Sequence, residues 1–168
     1  MTELAENPYS APESNLEKPL HSGDMSVFPR FSTWAVFGLS IITFGIYAAY
    51  WLYSRTNKLN SITDNKISQG FITTALVLYA ASILVQFAPF IIGFESVATL
   101  MSISPLISLA VFVVWIVWAF KFRNRLNEIT NSAGKPTWAG PILTFFFQTF
   151  YLSYKVNQNI DVQKSLNS

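Results

Sequence analysis

No cysteine occurs in this chain of 168 residues. Disulfides, thiolate metal sites and cysteine nucleophiles are therefore excluded together. The single histidine, His21, lies in a polar N-terminal stretch, which leaves no histidine for acid–base chemistry in the apolar remainder. Charge is scarce too, at 12% of residues, against roughly 25% in an ordinary soluble domain. What fills the chain is apolar: 51% of residues are hydrophobic and 16% aromatic. Uncharged runs of 24, 28, 25 and 19 residues separate Arg30 from Arg55, Lys66 from Glu95, Glu95 from Lys121, and Lys135 from Lys155. A spanning helix needs about 20 such residues. A soluble globular enzyme is excluded.

The expected fold is all-α, a polytopic membrane helical bundle with three to four transmembrane helices. Residues 1–30 read as a disordered polar tail, 31–157 as the transmembrane helical domain, and 158–168 as a polar C-terminal tail. The first segment is about Trp34–Tyr53, the second about Phe71–Gly93, the third about Val97–Phe120. The short fourth, Trp138–Tyr154, either crosses fully or dips and returns. The turn around Glu95 is tight, so the second and third segments form an antiparallel hairpin.

Ala35, Gly38, Ile42, Gly45 and Ala49 recur at steps of three and four, and small residues let helices approach closely in lipid. Gly38, Gly45 and Ala49 are the expected helix-packing positions. Gln86 and Gln148 are the amides within the apolar segments, read as helix–helix hydrogen bonds or as the lining of a small pathway. No acid, base or metal-ligand pair lies in any segment, and no phosphate loop or dinucleotide fingerprint appears. No enzyme activity, cofactor, metal or nucleic-acid partner is expected.

Trp51–Thr63 (WLYSRTNKLNSIT) aligns without a gap to Trp118–Thr130 (WAFKFRNRLNEIT). Trp51, Asn57 and Asn60 match Trp118, Asn124 and Asn127, and Lys58 matches Arg125 in charge. A weaker third copy ends in Tyr154-Lys155-Val156-Asn157. The pattern fits either an internal repeat or the shared composition of juxtamembrane ends: aromatic belt, then cations.

If all four segments cross, the connections 54–70 and 121–136 hold most of the cations. The positive-inside rule then puts them in the cytoplasm and both termini outside. That arrangement strands Lys155 on the side opposite its repeat partners, a conflict that a dipping fourth segment removes. The cluster Lys121, Arg123 and Arg125 suits anionic headgroups, but the same rule explains it without a specific lipid.

The stretch Ile42-Thr43-Phe44-Gly45-Ile46-Tyr47-Ala48-Ala49-Tyr50-Trp51-Leu52-Tyr53 resembles the I-T-x-G-I-Y-x-x-Y-W-x-Y signature of a bacterial family of small membrane proteins, domain-of-unknown-function family 4234. Asn7-Pro8-Tyr9-Ser10-Ala11-Pro12 is similar to a leader on several bacterial inner-membrane proteins. The resemblance implies a multi-pass protein of the bacterial inner (plasma) membrane and brings no activity with it. The expected role is a non-catalytic accessory, scaffold or assembly factor of a membrane complex. The alternative is a small homo-oligomeric channel or transporter. Partners expected beyond the lipid bilayer are another membrane protein or further copies of the chain.

Overall fold

A computed structural model describes residues 23–93 and 97–167. The tail up to residue 22, with His21, and the turn at Glu95 lie outside the described residues. The described chain is helical, with no strand: a 3-10 turn at Met25–Val27, then α1 (Thr33–Ile42), α2 (Ile46–Ile62), α3 (Gln69–Ile92), α4 (Ala98–Ile129) and α5 (Pro141–Leu166). Ser32 and Ser68 start α1 and α3 by accepting a backbone N–H on their hydroxyls, from Ala35 and Phe71. Gly140 precedes α5, whose first residue is Pro141, a position where the missing N–H costs nothing.

Two stretches are long and apolar enough to cross a membrane, Gln69–Ile92 and Met101–Ile129. They run antiparallel, with Phe71 edge-on to Trp118 at 6.2 Å and Tyr79 against Trp115 at 5.2 Å. The first segment, read from the sequence as a span, and the fourth, read as a short candidate for one, are each broken. Laid end to end, α1 and α2 would set Pro29 and Arg55 roughly 40 Å apart. Instead Arg55 Nη2 donates to the Pro29 carbonyl at 3.0 Å, so the chain has doubled back. In α5 the helix breaks at Gln148, where φ is 35° and ψ −114°. A straight helix would separate Gly140 from Tyr151 by roughly 16 Å along its axis, beyond a tyrosine's reach. Yet the Gly140 N–H donates to the Tyr151 hydroxyl at 3.0 Å, and Lys155 Nζ donates to the Pro136 carbonyl at 2.7 Å.

The molecule is thus three helical hairpins: α1 with α2, α3 with α4, and the two limbs 141–147 and 149–166 of α5. The core lies where the returning limbs meet. Leu52, Arg55 and Leu59 of α2 are buried there, with Ala119, Phe122 and Leu126 of α4 and Thr149, Leu152 and Val156 of α5. Each set follows helical spacing of three and four residues, which puts it on one face. α1 packs on the last limb, Phe37 edge-on to Phe150 at 5.2 Å.

Three further corrections follow from the same geometry. Residues 23–30, read as part of a disordered tail, are held at one end of the bundle. Met25 and Phe28 are buried, the Gly23 N–H donates to the Ile129 carbonyl, and Arg30 pairs with Asp161. Residues 158–166, read as a tail, continue α5. Both described chain ends lie beside the connections after α2 and α4, not opposite them, because each short hairpin returns to the end where it began. Every lysine and arginine among the described residues sits in or next to this one end.

Candidate functional site

The tip of the first hairpin is Thr43-Phe44-Gly45. The Thr43 hydroxyl donates to the Leu39 carbonyl at 2.7 Å and accepts the Tyr47 N–H at 2.9 Å, closing α1 and opening α2 at once. Gly45 has φ +89°, the left-handed region that favours glycine. A Cβ there would also stand 2.6 Å from the Tyr79 hydroxyl, which donates to the otherwise exposed Phe44 carbonyl at 3.1 Å. Counted from Gln69, Tyr79 is about 15 Å along α3. That is half the thickness of a hydrocarbon core of about 30 Å. The second short hairpin turns at Gln148, and both tips meet α3 and α4 in one groove of about 320 Å³. Its polar lining is Tyr79, Ser82, Gln86, Ser108 and Gln148. The Gln148 amide reaches the Phe145 carbonyl at 3.5 Å; the exposed Gln86 amide makes no hydrogen bond among the described residues.

At the opposite, basic end three asparagines make one and the same bond pair. The Asn60 amide donates to the Ile67 carbonyl and accepts the Ile67 N–H, both at 2.8 Å. Asn127 does this to Ala139, at 3.0 and 2.9 Å. Asn157 does it to Phe31, at 2.7 and 3.3 Å. Ile67, Ala139 and Phe31 are each the residue before a helix N-cap: Ser68 of α3, Gly140 of α5 and Ser32 of α1. Every returning limb therefore clamps the entry of another hairpin, the last one closing back onto the first.

The sequence profile of a domain of unknown function, DUF4234, matches residues 31–128. The match covers more than half of the chain. This protein belongs to that family. The DUF4234 region runs from the clamped Phe31 through the loop held by Asn60 to the end of α4, and the loop held by Asn127 and the hairpin of α5 lie beyond it. No curated protein and no solved structure matches.

The stretch Ile42-Thr43-Phe44-Gly45-Ile46-Tyr47 falls on the hairpin tip, where Thr43 and Gly45 have the roles just described. Of the expected packing positions, Ala49 is buried and Gly45 turns the chain. A Cβ on Gly38 would meet nothing within 4 Å. The small-residue stripe is not one helix face, because the break at Phe44–Gly45 divides it. Gln86 and Gln148, far apart in sequence, share the groove. Trp51 packs on Phe122 at 6.0 Å, and Trp118 Nε1 donates to Thr56 Oγ1 at 2.9 Å. Asn57 accepts from Gln69 and Asn124 from Arg123, both at the surface. Sequence reasoning passed over Tyr79, whose position no pattern marks, and treated Arg55 only as a topology charge. Asn157 was visible in the third copy, but its partner Phe31 is 126 residues away. Lys155 donates to Pro136 and Gln158 and lies 5.7 Å from the Tyr151 ring centroid; burial pushes its pKa down.

Proposed function

We propose that this protein is a multi-pass component of a bacterial inner membrane that acts as a non-catalytic accessory, scaffold or assembly factor of a membrane complex. In this reading α3 and α4 cross the bilayer, and the two short hairpins dip from the basic, cytoplasmic side to mid-depth and return. The three hairpins are copies of one unit, drawn out to full length only in the middle copy. Support comes from exposed Trp34, Ile42, Phe44, Phe90, Leu106 and Phe146, an apolar surface larger than water-soluble proteins expose.

The observation that carries the accessory role is the Gln86 amide, open in the groove between the hairpin tips and without a hydrogen bond among the described residues. An amide at that depth gains on the order of 1 kcal/mol from a partner helix that hydrogen-bonds to it. A photo-crosslinker placed at Gln86 in the natively expressed protein tests this. Crosslinks to one other membrane protein, in a complex of fixed stoichiometry weighed in mild detergent, are expected. A monomer without crosslinks refutes the reading. The shared lining by Gln86 and Gln148 favours one second reading, a homo-oligomeric channel. Crosslinks to the same chain, with solute flux in proteoliposomes that Gln86→Leu abolishes, would replace the first reading by the second.

A further inference from the structure

Arg55 is a charge in a core position. The aligned positions on the other two returning limbs hold Phe122 and Leu152, so packing alone calls for an apolar residue. Arg55 is only 7% exposed, its Nη2 donates to the Pro29 carbonyl, and its buried Nε has no partner. Its guanidinium lies 5.7 Å from the centroid of the Trp51 ring. The ion pair found among the described residues is Arg30 with Asp161, and no acid lines the space around Arg55. A buried charge without an opposite charge is costly. Burial pushes the Arg55 pKa down, in keeping with that cost.

The space is a cavity of about 270 Å³ bounded by Pro29, Phe31, Tyr47, Tyr50, Ser54 and Lys58, besides Arg55 and Trp51. Lys58 is the second cation in it, and its aligned partners behave differently. Arg125 is spent on the carbonyl of Asn65 and that of Lys121, and Lys155 on the carbonyl of Pro136. The Lys58 ammonium has no acceptor among the described residues. Tyr50 also walls a second, almost wholly apolar groove of about 510 Å³ between α2 and α3, with Ile46, Tyr53, Leu76 and Leu84. Cations, serine and tyrosine hydroxyls thus adjoin a groove with the apolar lining that an acyl chain requires.

We propose that Arg55 and Lys58 bind a phosphate group in this cavity, supplied by the phosphodiester of an anionic membrane lipid whose acyl chain follows the groove beyond Tyr50. The arginine fork matches phosphate geometry, and the lysine adds a mobile point charge. The proposal requires no partner protein and stands apart from the role of Gln86.

Thermal unfolding of the whole chain in a neutral detergent tests it, with phosphatidylglycerol, phosphatidylcholine or inorganic phosphate added. Phosphatidylglycerol is expected to raise the midpoint well beyond phosphatidylcholine. Lys58→Ala is expected to raise the half-saturating lipid concentration about fivefold. Lys66→Ala, which removes an equal charge outside the cavity, leaves it unchanged. Arg55→Gln abolishes the response; if that variant does not fold, Lys58→Ala against Lys66→Ala carries the test. Inorganic phosphate matching the lipid, with the same loss in Lys58→Ala, supports the phosphate site and overturns the lipid as its source. Equal stabilisation by both lipids, or equal losses in the two lysine variants, overturns the site.

Discussion

Replacing the clamp asparagines one at a time by alanine has an outcome that can be ranked from the bonds each one makes. In Asn60→Ala, the N–H and the carbonyl of Ile67 lose their only partner among the described residues together, and Ile67 is 2% exposed. An orphaned buried group costs about 1–3 kcal/mol. Two of them predict a loss near the middle of the summed range, about 4 kcal/mol. In Asn127→Ala, the Ala139 carbonyl keeps the Arg123 Nε donor at 2.7 Å, so only the N–H is orphaned. The expected loss falls to about 2 kcal/mol. In Asn157→Ala, Phe31 is only half-buried and its N–H bond is the long one at 3.3 Å, so water substitutes. About 1 kcal/mol is expected there. Unfolding by denaturant titration in mixed micelles, followed by tryptophan fluorescence, measures all three. Equal losses at the three sites, or a loss at Asn60 smaller than at Asn157, would refute the clamp argument.

The hairpin tip gives a second prediction: Gly45→Ala destabilises by about 1–2 kcal/mol from its left-handed backbone alone, plus the clash with Tyr79. Adding Tyr79→Phe recovers only the clash, as the same titration shows. Gly38→Ala, on an open face inside α1, stabilises instead, by about 0.5–1 kcal/mol. A third concerns pH. The hydrogen bond from Arg30 holds the Asp161 carboxyl below its ordinary range, so the stabilisation it contributes is present above that ordinary value. It is lost as pH falls through the lowered one. Proteolysis of the segment around residues 23–30 should therefore quicken in acid, and Arg30→Gln should remove that dependence. Fourth, single cysteines at Asp64, Ala133 and Asn167 in this cysteine-free chain should all label from one side of the membrane. Opposite labelling at Ala133 and Asn167 would contradict the returning hairpin of α5.

Helical class and the two long apolar stretches were legible because both depend on composition and run length, which are local. The repeat of Asn60 and Asn127 was legible as a match of letters. Its use was hidden, since the bonds run to backbone groups 7 and 12 residues on, in loops of unrelated sequence. The first segment misled for a different reason. Twenty apolar residues with a central glycine read equally well as one helix or as two folded back. Only the left-handed Gly45, Thr43 serving both helices and Tyr79 covering the Phe44 carbonyl select the second.

That this chain is helical, apolar and without cysteine or intrasegment charge follows from the amino-acid sequence, because those properties are sums over residues. The sequence also placed the cations between the apolar segments. The tertiary structure alone decided which end those cations share, and that Gln86 and Gln148 line one groove. It alone decided that Arg55 occupies a core position its counterparts fill with phenylalanine and leucine. Each of those facts depends on where a hairpin reverses, and a reversal set by one dihedral angle and a tyrosine from another helix leaves no periodic trace in the chain.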